Sequence, residues 1–73
     1  MTETPEGLKA DRDELARAIV AAFGFANCKE AHRLSYEEGE GPTNIALKLG
    51  MVDNRGPARA DLMISGYHFY KDI

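Results

Sequence analysis

Glycine and proline cut this chain at Gly24, at Gly39-Glu40-Gly41-Pro42, at Gly50 and at Gly56-Pro57. Each stretch between those points has room for one short element. Glycine in the left-handed region stops helices, and proline is welcome in a helix's first turn but not beyond it. The breakers therefore predict a mainly α fold, a small bundle of three to four short helices.

Asp11-Arg12-Asp13-Glu14 reads as the start of the first helix, with Asp11 as cap and Glu14 at capping-box spacing. Leu15, Ile19, Ala22 and Phe23 follow at helical spacing and form the expected core face. Asp13 and Arg17 are placed to pair at i,i+4. Residues 1–10 have little to bury and are expected to be a flexible tail ahead of one globular domain, residues 11–73. Asn27 is the expected cap of a second helix, with Cys28, Ala31 and Leu34 inward and an end near Glu38. Thr43 or Asn44 caps a third, running through Leu49 and closed by Gly50 with Met51 as the apolar residue beyond. Pro57 opens the last helix, and Gly66 is its expected end.

The C-terminal half also carries a strand pattern. Ile45, Leu47, Leu49 and Met51 alternate with Ala46, Lys48, Gly50 and Val52. Leu62 and Ile64, then Tyr67 and Phe69, alternate with a slip at Gly66. The alternative fold is α+β, with two N-terminal helices and a β-hairpin of residues 44–52 and 62–70. Helix starts and stops agree with the breakers in four places, and that agreement favours helices.

A chain of 73 residues supports one thin core. A core and an enclosed substrate pocket together are hard to fit, so no enzyme is expected. Cys28 is the single cysteine, which rules out an intramolecular disulfide and fits a reducing compartment. The N-terminal residues lack the basic-then-apolar pattern of a signal peptide. The longest apolar run, Ala18 to Phe23, is far short of the roughly 20 residues that span a bilayer. The expectation is a cytoplasmic protein with no membrane partner.

Cys28 and His32 stand four apart, as two metal ligands on one helix face would, with His68 as a third. A closed zinc site would still need a carboxylate, and the expectation is no metal and no cofactor. The same pair lacks the oriented base and oxyanion donors that a nucleophile requires.

Two features point to a partner. Glu37, Glu38 and Glu40 form an acidic run suited to a protein with a basic surface. Tyr67, Phe69 and Tyr70 crowd into the last seven positions, and aromatic residues are enriched at interfaces. These six residues are the candidate partner-binding set of a small non-catalytic protein-binding module: an adaptor, accessory subunit or inhibitor. The alternative is a DNA-binding regulator. Ile45-Ala46-Leu47-Lys48-Leu49-Gly50-Met51 resembles the first helix and turn of a helix-turn-helix, with Arg55 and Arg59 near the start of a recognition helix. The connection from Gly50 to Gly56 is longer than that motif's turn. The charge balance also gives no basic stripe. Residues 1–42 carry five Lys/Arg against nine Asp/Glu, and residues 43–73 carry four against three.

Overall fold

The computed structural model describes residues 5–73 and holds four helices: α1 Pro5–Phe23, α2 Phe25–Tyr36, α3 Pro42–Lys48 and α4 Gly56–Tyr70. No strand occurs among the described residues, so the hairpin of residues 44–52 and 62–70 is not formed. The mainly α bundle is the fold.

α4 lies at the centre and packs against α1, α2 and α3. Its apolar residues are spread around the helix, as a helix covered on several sides requires. Gly56, Ala60, Met63 and Gly66 are its buried positions. Around them Ile19 and Val20 of α1, Cys28, Ala31 and Leu34 of α2, and Ile45 and Ala46 of α3 complete the core.

α1 begins at Pro5, six residues before the Asp11 cap expected from sequence. Proline at a helix start loses no hydrogen bond, and the helix runs on through Gly7 to Asp11, a glycine being tolerated there at modest cost. Residues 5–10 are therefore helical and not tail, while residues 1–4 lie outside the described part. Asp13 pairs with Lys9 at 2.8 Å and Arg12 at 3.7 Å, not with Arg17. The Lys9 hydrogen bond holds the Asp13 carboxyl below its ordinary pKa. The inward face of α1 is Asp13, Ala16, Ile19 and Val20, and Leu15 is 60% exposed. Leu15 was expected in the core. Ile19 and Phe23 face the core as expected, while Ala16 and Val20 take the inward places given to Leu15 and Ala22, because small alanines do not reveal the facing of the helix.

A single residue, Gly24 at φ +95°, separates α1 from α2. Asn27 does not cap α2. Its Nδ2 donates to the Phe23 carbonyl at 2.9 Å, so it closes the end of α1. α2 turns Cys28, Ala31 and Leu34 inward as expected and ends at Tyr36. α3 takes Gly41 as N-cap and Pro42 in its first turn, in place of Thr43 or Asn44. Its end matches expectation closely. Gly50 lies at φ +80°, its N–H donates to Leu47 O at 3.1 Å, and the Met51 N–H donates to Ala46 O at 2.8 Å. Those two bonds are a Schellman closure. α4 does not end at Gly66 but runs on to Tyr70.

Candidate functional site

α2 has a second stripe beside its core face. Phe25, Lys29, His32 and Tyr36 are spaced four, three and four apart and line one side of the helix. Tyr67, His68 and Tyr70 of α4 lie against that stripe. Phe25 meets Tyr67 edge-on at 5.7 Å and Tyr70 at 5.9 Å between ring centroids. His32 meets Tyr67 edge-on at 5.0 Å and stacks on Tyr36 at 4.4 Å. His32 Nε2 and His68 Nδ1 share a hydrogen bond of 3.2 Å, which requires at least one of those nitrogens to be unprotonated. Burial lowers the His32 pKa; His68 and Lys71 add to that, and Glu37 opposes it.

Two adjoining grooves flank these rings. One, of about 460 Å³, is lined by Phe25, Lys29, His32, Arg33, Glu37 and Tyr67, among others. The next, of about 400 Å³, runs past Arg17, Phe25, Tyr67, Tyr70 and Lys71. Phe25 is 49% exposed and belongs to both.

The six residues proposed from sequence do not form one patch. Tyr67, Tyr70 and Glu37 line these two grooves. Phe69 faces the other side of α4, with the Arg12 guanidinium 4.7 Å over its ring, in a separate groove of about 130 Å³ against α1. Glu38 is held by Arg33 at 3.6 Å and Glu40 by Lys48 at 3.5 Å. Phe25, Lys29, Tyr36 and Lys71 were not singled out from the sequence. The four-three-four spacing on α2 is the signal that marks the first three.

Cys28 is fully buried with Sγ 4.0 Å from the Ile19 carbonyl, while His32 of α2 and His68 of α4 meet each other in a partly buried contact. Burial pushes the thiol pKa up. The Cys28, His32 and His68 set is not assembled, and no group of three metal-ligating side chains occurs among the described residues. Arg55 is exposed, and its backbone N–H donates to Asp53 Oδ1 at 2.9 Å. Arg59 pairs with Asp53 at 3.1 Å, on a helix whose faces carry the core. Among the described residues no helix is long and apolar enough to cross a membrane.

Comparison with protein-family models, with curated proteins and with solved structures finds no match.

Proposed function

We propose that this chain is a small non-catalytic protein-binding module, an adaptor, accessory subunit or inhibitor of the cytoplasm, and that it binds through the Phe25, Tyr67 and Tyr70 face. The observation that carries the reading is the ring trio itself. Phe25 stands half-exposed yet is fixed by two edge-on tyrosines. Rings held in place lose little side-chain entropy on binding, and aromatic anchors supply much of the affinity at interfaces. A contact of about 800 Å² per side is ordinary for a stable complex. The total surface is 4936 Å², so one such contact would take a substantial share of it. The single thiol is buried with a raised pKa, which disfavours the thiolate that a cysteine nucleophile needs.

The test is site-specific photo-cross-linking in the native host. A photoreactive phenylalanine analogue replaces Phe25 in one variant and Val52, 79% exposed, in another. A discrete adduct from position 25 and none from position 52 is the expected result. Identical adducts from both positions, or none from either, would remove this face from consideration.

A further inference from the structure

We infer that the occupant of the Phe25–Tyr67–Tyr70 face is an acidic protein segment that also carries an apolar residue; the inference rests on the protein-binding reading above. The linings of the two grooves hold four cations, Arg17, Lys29, Arg33 and Lys71, against two carboxylates, Glu30 and Glu37. That is a local reversal on a chain of net charge −3. Arg17 and Lys29 form no ion pair within 4 Å among the described residues, although Arg17 lies near enough to Asp13 to help lower its pKa. Lys71 pairs with its neighbour Asp72 at 3.4 Å, an exposed contact of the kind worth little. Glu30 is neutralised by two hydrogen bonds of 2.8 Å from Arg33. Glu37 is left to oppose an acidic ligand, at the edge where α2 ends.

Within the acidic run Glu40 is paired with Lys48, and Glu38 lies 3.6 Å from the Arg33 that already holds Glu30, so the run is partly neutralised and sits at the edge of the grooves. The charges beside the rings are Lys29, over the Phe25 ring, and the groove-lining Arg17 and Lys71, and complementarity to these selects a negative partner with something apolar to place among the rings. Single-stranded nucleic acid also uses cations and rings, but it stacks on open ring faces. Phe25 meets both tyrosines edge-on, with the Lys29 ammonium 5.9 Å from its ring centre. The net negative charge of the chain also repels a long polyanion.

The experiment pans a random peptide library against the full chain and titrates a single-stranded oligothymidylate alongside it. Selected peptides are then titrated against the parent, Phe25→Ala and the double variant Lys29→Glu, Lys71→Glu, at low and moderate salt. Both variants change exposed positions, and circular dichroism checks their folding. The expected result is enrichment of acidic peptides that bind about tenfold more weakly to the double variant, weaken with salt and require Phe25. Enrichment of neutral or basic peptides that still require Phe25 would overturn the acidic partner and leave the module standing. Absence of any Phe25-dependent peptide, or tighter binding of the oligothymidylate than of any peptide, would overturn both.

Discussion

A methyl group placed on Gly66 of α4 would stand 2.5 Å from Ile19 Cγ2 and 2.9 Å from Ile19 Cβ on α1. Both Ile19 atoms are close to its backbone and cannot swing away, so the two helices approach as closely as they do because residue 66 has no side chain. Gly66→Ala sets two effects against each other. Alanine in a helix interior is favoured over glycine by about 1 kcal/mol. Overpacking of a core contact typically costs about 1–3 kcal/mol. The stiff β-branched neighbour places the balance on the side of destabilisation. Urea unfolding is expected to show Gly66→Ala less stable than the parent, with a smaller loss in an Ile19→Ala background. A Gly66→Ala variant at least as stable as the parent would show that the close approach is not needed.

The facing of α1 gives a paired test. Ile19 is 9% exposed and packs in the core, while Leu15 is 60% exposed. Ile19→Ala is expected to cost about 2–5 kcal/mol. Leu15→Ala is expected to stay within about 0.5 kcal/mol of the parent. Equal losses in thermal melts of the two variants would contradict this orientation.

Much of the fold was legible because its punctuation is chemical. Pro57 at a helix start, the Gly50 closure with Met51 beyond it, and the Cys28, Ala31 and Leu34 face follow from backbone rules acting over a few residues. Gly66 was not legible: a glycine that ends a helix and a glycine that admits a neighbouring helix look the same in one dimension. Leu15 misled because large residues draw attention that Ala16, the truly buried position, does not. At the candidate site Tyr67 and Tyr70 were found by their crowding. Their partners Phe25 and His32 are more than 30 residues away in sequence, and no local period joins them. The ion pairs of the glutamates were not legible for a related reason, since Lys48 meets Glu40 from eight residues away.

Asn27 offers a chemical discrimination. Its side chain donates to the Phe23 carbonyl, and aspartate has no such donor. Asn27→Asp and Asn27→Ala are expected to lose similar stability, about 0.5–1.5 kcal/mol. If Asn27 instead capped the start of α2, aspartate would serve as well as asparagine. An Asn27→Asp variant as stable as the parent, measured by urea denaturation, would support that other role.

His32 couples stability to pH. It is faced by His68 and Lys71 across from α2, by Glu37 near its own helix end, and by the rings of Tyr36 and Tyr67. Its pKa is lowered from 6.5 on folding, chiefly by burial. Above that value both the folded and unfolded chains hold it neutral, and the stabilisation is complete. Below it the unfolded chain binds the proton first, so stability falls as pH drops through the folded pKa. The urea midpoint is therefore expected to decrease between roughly pH 7 and pH 5, with a shallower decrease in His32→Gln. A midpoint that does not fall, or the same slope in His32→Gln, would show that His32 is not responsible.

The most direct measurement is the affinity of the partner cross-linked at position 25 for Phe25→Ala and for Val52→Ala. An anchoring ring is worth about 2 kcal/mol or more when truncated, roughly thirtyfold in Kd. Calorimetric titration is expected to show that loss for Phe25→Ala and an unchanged Kd for Val52→Ala. Equal affinities for the parent and a folded Phe25→Ala would place the binding surface elsewhere on the molecule.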